Sequence, residues 1–167
     1  PSTSQTLEIS DAMAEFQAAG KPVIAAGDFY TQANYLLASH ADHILLHPEG
    51  GMFLEGFSVY RSYLKTFLEK IRVTMHVFRA GESKSAVEPY LRDDMSETER
   101  RIVARWLGEL WSTYTQHAEA GRDLPEGEMD RFIADFGGRL QASNNDLAET
   151  ILAGGWVDVL ADRSEME

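Results

Sequence analysis

Cysteine is absent from all 167 residues. That removes disulfides, thiolate nucleophiles and cysteine metal sites, while leaving the compartment open. Positive charge is scarce: 15 Lys and Arg stand against 27 Asp and Glu, a formal net charge of -12. A chain this acidic repels phosphate backbones, so nucleic acid is not expected as a partner. No apolar run approaches the roughly 18 residues that cross a bilayer. No signal peptide opens the chain, and it starts at Pro1 rather than methionine. It therefore reads as a piece of something longer, with targeting information outside it. The GxGxxG and GxxxxGK patterns are both missing, so there is no phosphate loop, and no cofactor is expected. Hydrophobic residues still make up 44% of the chain, enough for one domain with a proper core.

The periodicity alternates between helix and strand. "SQTLEISDAMAEFQAAGKP" predicts a helix with Leu7, Ile9, Met13 and Phe16 as its apolar stripe, stopped by Gly20 and Pro22. "PVIAAG" predicts a buried parallel strand, "TQANYLLASHA" a helix and "DHILLHP" a second strand. "EGGMFLEGF" reads as a glycine-rich connection, "YRSYLKTFLEKI" as an amphipathic helix and "RVTMHVFRA" as a third strand. This order indicates an α/β fold with parallel strands and crossover helices. "SETE" then forms a capping box in which Ser96 caps and Glu99 reaches back. The helix behind it carries Ile102, Val103, Trp106, Leu107, Leu110 and Tyr114 at helical spacing and should run to about Ala118. "EMDRFIADFGGRL" and "NDLAETILAGG" predict more helix, and "GWVDVLAD" is a short closing apolar segment.

Several residues invite a chemical reading. His40, His43 and His47 are close in sequence, but a strand through "DHILLHP" puts only His43 and His47 on one face, and no HExxH-like spacing is present. Ordinary packing or surface histidines are the better reading, and no metal is expected. "EGGM" is read as a plain turn, with exposed amides for an oxyanion as the alternative. Trp106 belongs to the apolar face and is read as core, Trp111 as covering a rim or interface. Arg92, Asp93 and Asp94 form either a loop-ordering ion cluster or a solvated one. Lys84 sits in the polar stretch "RAGESKSAVEPYLRDDMSETER". A free lysine titrates near about 10.4, so catalysis near neutrality needs a drop of about 3, roughly 4 kcal/mol. Burial in an apolar cleft provides that, and sequence alone does not show such burial.

The same stretch carries a resemblance. "HVFRAGESKSAVEPYLRDDMSETER", "RWLGELW" and "GKPVIAAGDFYTQANYLLASHADHILLHPEGGMFLEGF" resemble the amino-terminal half of the long-form signal peptide peptidases, the protease IV group of peptidase family S49. The likeness runs from about Pro1 to Ala161, with "KSAVEPYLRDDMS" its most specific part. It implies an α/β, crotonase- and Clp-protease-like layered domain followed by a helical segment. Residues 1–161 would be one such domain, the lysine-bearing copy of a two-copy protein, with 96–153 its mainly helical part and 162–167 a tail.

The resemblance also implies a serine–lysine dyad in which Lys84 is the general base. The serine would come from a carboxy-terminal copy that these 167 residues do not contain. In that copy a small-residue segment with a serine before two glycines opens the helix after the "PV" strand. Here Ala33 and Asn34 stand at about that place. Ser83 and Ser85 flank Lys84 and, in an extended loop, point away from it. The implied whole protein is an endopeptidase degrading released signal peptides, with an apolar groove to which Met52–Phe57 contribute. Its implied partners are the serine-bearing domain, further copies of itself and apolar signal peptides. Its implied place is the bacterial inner membrane, with the catalytic part facing the periplasm and the anchor outside this chain. The fragment alone would be soluble and inactive. Two competing readings are a non-catalytic oligomerisation module of the same fold and an acyl-CoA enzyme of crotonase type. The second has no acidic pair to support it.

Overall fold

The structure is a computed structural model that describes residues 3–76 and 85–166. In chain order its elements are α1 (Thr3–Ala18), β1 (Ile24–Thr31), α2 (Gln32–Ala38), β2 (His43–Phe53), α3 (Lys65–Lys70) and a 3-10 turn (Ser85–Val87). There follow α4 (Glu88–Leu91), α5 (Glu97–Gly121), α6 (Glu128–Ala134), α7 (Phe136–Ala142), α8 (Leu147–Ala153), β3 (Val159–Leu160) and α9 (Arg163–Met166). The described residues form two compact units, one from Pro1–Gly56 with Ser112–Glu167, the other from Phe57–Trp111.

The first unit is α/β, built on a parallel sheet in the order β1-β2-β3. β1 and β2 are joined through α2, the crossover a parallel pair requires. Two of the strands arise where the apolar runs predict them. The third does not. Within "RVTMHVFRA", Arg72 has φ 58, residues 73–76 have no regular structure, and 77–80 lie outside the described residues. Val73 and Met75 are exposed, so their β-propensity has no sheet to join. The observed third strand comes from the closing segment: Asp158 N–H donates to Ile44 O at 2.9 Å and Ala161 N–H to Leu46 O at 3.0 Å.

β2 also runs through the stretch read as a glycine-rich connection. The ladder pairs Gly27 with Leu46 and then Phe29 with Gly51, so Asp28 alone opposes residues 47–50. This bulge accommodates Pro48, which cannot donate to a ladder. It also demands glycine at 50, because a Cβ there would overlap the carbonyl oxygen of Asp28. Gly51 serves a different purpose: a Cβ would lie 2.8 Å from Leu147 Cδ2, so the missing side chain lets α8 lie on β2.

The core sits around Tyr35, Ile44, Leu46, Tyr114, Met129, Ile151 and Trp156, all at most 2% exposed. Each such side chain contributes roughly 1.5–3 kcal/mol by leaving water. Tyr35 and Phe132 meet Trp156 edge-on, with ring centroids 6.2 and 5.5 Å away. The Tyr35 hydroxyl donates to Trp156 O at 2.7 Å. Gly20 (φ 76) ends α1, its N–H donating to Gln17 O.

Two apolar stripes differ from their predicted roles. Among the described side chains of α1, Thr6 and Ser10 are buried and Met13 partly covered, whereas Ile9 is 43% and Phe16 47% exposed; the side chain of Leu7 lies outside those described. On α5, Tyr114 is buried, but Ile102 is 51% and Trp106 47% exposed, so Trp106 is not a core residue. The same helix extends beyond Ala118 to Gly121.

In the second unit α3 is shorter than its apolar pattern suggests, and none of its residues is buried. Its first turn is held from outside: Asp93 accepts from Thr66 N and Thr66 Oγ1, both at 2.8 Å. Arg92 pairs with Asp94 at 2.9 Å. All three side chains are exposed, so the Arg92–Asp94 cluster is solvated while Asp93 holds the start of α3. Only half of the capping box forms. Ser96 Oγ accepts from Glu99 N at 3.2 Å, but Glu99 turns to Arg61 at 3.1 Å, and Glu88 takes its place at Ser96 N. Trp111 meets Phe57 edge-on at 6.5 Å.

Candidate active site

The start of α2 is the place where the resemblance puts the nucleophile of a catalytic copy. Thr31 caps it, its Oγ1 accepting from Asn34 N at 3.3 Å. Gln32 acts as a clamp. Its Oε1 accepts from Glu55 N at 3.1 Å and Gly56 N at 2.7 Å, and its Nε2 donates to Gly56 O at 3.2 Å. Three bonds from one side chain fix the end of β2's exit loop against the helix start. Sequence reasoning missed Gln32, and nothing in its local pattern marks it. Ala33 lines a cavity of about 290 Å³ with Thr31, Gln32, Phe53, Glu55 and Gly56. Asn34 faces a different cavity, over β1. A methyl group therefore stands where a hydroxyl would be reachable.

Beside this cavity lies an apolar cleft of about 420 Å³ that shares Phe53 and Glu55 with it. Met52–Glu55 form one wall, and Phe132, Phe136, Leu147 and Ile151 contribute the other. Phe53 is 49% exposed and stacks on Phe29 at 5.8 Å. Of the Met52–Phe57 stretch expected to contribute to a groove, residues 52–55 line this cleft. The reading of "EGGM" as a turn or an open amide loop is corrected: Gly50 and Gly51 are buried within β2.

Lys84, the candidate general base, lies outside the described residues, as does Ser83. The residues immediately after Lys84 form a 3-10 turn and then α4 rather than the extended loop expected at Ser85. Glu88 anchors this segment: it accepts from Ser96 Oγ at 2.5 Å and Ser96 N at 3.2 Å, linking α4 to the start of α5. The Ser96 hydroxyl holds the Glu88 carboxyl below its ordinary value.

The histidines separate. His40 faces His117, ring centroids 6.4 Å apart, and burial, helped by His117, lowers its pKa. His47 Nδ1 accepts from Glu49 N at 3.2 Å. Among the described residues no group of three or more His, Asp or Glu is placed to hold a metal ion. Among them, too, no helix is long and apolar enough to cross a membrane.

A parallel α/β sheet with a clamped helix start beside an apolar cleft does not by itself name a chemistry. Sequence comparison narrows it. Residues 15–153 match the profile of peptidase family S49, and the chain belongs to that family. It is 41% identical over 159 residues to Protease 4 of Salmonella typhi, covering 95% of this chain and 26% of that protein. Against Protease 4 of Haemophilus influenzae the identity is 46% over 121 residues, 72% of this chain and 20% of the relative. Against the chloroplastic serine protease SPPA of Arabidopsis thaliana it is 23% over 126 residues, 75% of this chain and 19% of the relative. The chain thus spans about a quarter or less of these relatives' length.

Proposed function

We propose that this chain is the lysine-bearing amino-terminal copy of a serine endopeptidase that degrades released signal peptides. The observation that carries the reading is 41% identity along 95% of the chain to a Protease 4 of which it spans only 26%. Residues 1–161 would form one S49-type domain of crotonase-like layering, a reading supported by the parallel sheet and its crossover helix.

In the assembled enzyme the neutral amine of Lys84 takes the proton of a serine hydroxyl carried by the carboxy-terminal copy. That serine attacks the peptide carbonyl, Lys84 gives the proton to the amine as it leaves, and water, deprotonated by Lys84, then hydrolyses the resulting acyl-enzyme and restores the serine. Ala33 at the helix start supports placing the serine elsewhere, since it carries no hydroxyl and the neighbouring Thr31 hydroxyl is engaged in capping α2. The apolar cleft lined by Met52, Phe53 and Leu54 suits an extended apolar peptide. Homo-oligomerisation and an anchor in the bacterial inner membrane, with catalysis on the periplasmic side, complete the proposal.

The test is Lys84→Ala in the full-length protein. Turnover of a signal-peptide substrate should fall by about 100- to 10,000-fold, with circular dichroism unchanged. Wild-type rates would reduce Lys84 to a surface lysine and favour the non-catalytic assembly module.

A further inference from the structure

Two backbone amides at the exit of β2 point at one oxygen. Glu55 N–H and Gly56 N–H both donate to Gln32 Oε1, at 3.1 and 2.7 Å. Consecutive N–H groups that converge in this way form a concavity suited to an oxygen carrying negative charge. The backbone is bent to make it. Gly56 has φ 69, and nothing lies within 4 Å of where its Cβ would be. The left-handed conformation, not a lack of space, calls for glycine there.

What occupies the amide pair is itself an amide. Gln32 ends in a carboxamide whose oxygen takes both N–H groups while its Nε2 donates to Gly56 O at 3.2 Å. The N–H and C=O of Gly56 are thus both engaged, and these are the groups that an added peptide strand uses. Unlike a strand, this side chain hangs on rotatable bonds and is only partly buried, so it can swing away with no change of backbone. The place it holds opens on the cavity of about 290 Å³ that Gln32 lines with Ala33 and Phe53. That cavity meets the apolar cleft at Phe53 and Glu55, so a peptide lying in the cleft brings its backbone to the two amides. Glu55 is an exposed acid lining both spaces, in a chain of net charge -12. Repulsion between like charges therefore favours a neutral carbonyl over a carboxylate.

We infer that the Glu55 and Gly56 amides are a binding site for a backbone carbonyl of a peptide in the apolar cleft, and that Gln32 holds this site closed from inside. This rests on the reading of the cleft as a peptide site and not on Lys84. The test is amide hydrogen exchange, resolved to single residues, in the full-length protein with N-acetyl-leucine methylamide as the probe. In the wild type both amides are bonded to Gln32, and the probe should change their exchange by less than about twofold. In Gln32→Ala they should exchange at least about tenfold faster, and saturating probe should restore their protection, while sodium acetate at the same concentration should not. Gln32→Asn keeps a carboxamide but is one methylene shorter than the reach to residues 55 and 56 requires, and it should behave alike. Freed amides that the probe leaves unprotected overturn the inference, and so does equal restoration by acetate. Loss of protection at Ile44 and Leu46 in both variants overturns it as well, because Gln32 would then be holding the sheet rather than a site. Turnover by Lys84→Ala is read separately. If that falls as expected while the probe fails here, the catalytic reading stands and this inference alone is lost.

Discussion

Asp158 illustrates how much this fold places on single side chains. Its Oδ2 accepts from Ile44 N at 2.7 Å, and both of its oxygens are held by Arg122, whose closest contact is 2.5 Å. Arg122 also donates twice to Gly155 O at 3.2 Å and is only 10% exposed. Burial raises the Asp158 pKa, and the Arg122 and Ile44 bonds outweigh it, leaving the carboxyl below its ordinary value. Arg122→Ala would strand a carboxylate and a carbonyl together. A loss of roughly 2–4 kcal/mol is expected in urea unfolding, and a loss below half of that would mean water replaces the guanidinium. Gly50→Ala should cost roughly 3 kcal/mol or more, since the added methyl meets the Asp28 backbone rather than a yielding side chain. His40 makes stability depend on pH. Burial and His117 lower its pKa from 6.5, while Asp11 acts the other way. The folded protein therefore binds this proton more weakly than the unfolded one. The contribution is complete above about 6.5 and is lost as pH falls through the lowered folded value. Urea midpoints should decline across that window, and His40→Asn should flatten the decline.

At the scale of elements, helix ends are satisfied from a distance. α6 begins at Gly127 (φ 77) with no side-chain cap of its own. Glu119, buried on α5, supplies one, accepting from Gly127 N at 2.9 Å and Met129 N at 2.8 Å. Glu119→Ala should cost roughly 1–3 kcal/mol through the orphaned amides, read as a shift in melting temperature. Asp93 does the same for α3 across 27 residues of chain. Such long-range caps explain what was and was not legible. The helices and first two strands could be read because apolar period and local stops agree there: Gly20 after α1, Thr31 before α2. The bulge over 47–50 was hidden because Pro48 and two glycines spell a turn locally, and only β1's backbone makes them a strand. The described part of "RVTMHVFRA", residues 72–76, is not strand despite its β-composition, whereas Val159–Leu160 has a partner in β2. Of the candidate site, the resemblance pointed to Met52–Phe57, of which residues 52–55 line the apolar cleft. Gln32 was not, since its three bonds depend on where residues 55 and 56 arrive.

The whole molecule is divided unusually. The first compact unit is made from both ends of the chain, with Phe57–Trp111 between them. The proposed division of labour between two copies adds a test at this scale. Ala33→Ser in the full-length protein should not rescue an enzyme whose carboxy-terminal serine has been replaced. Recovery of turnover would mean this copy already holds a complete acyl-transfer site apart from one oxygen. The discontinuity has a further consequence, in time rather than space. Tyr35 bonds Trp156 across 121 residues. Loop length itself is a minor cost, only about 0.6 kcal/mol for each doubling. Synthesis order matters more: at about 5–20 residues per second, Tyr35 leaves the ribosome roughly 6–24 s before its partner. For that interval β1, α2 and β2 exist with Ile44 and Leu46 uncovered. The nascent chain is then a client for holding chaperones, and ribosome-stalled lengths ending before residue 156 should be protease-sensitive throughout the first fifty-odd residues.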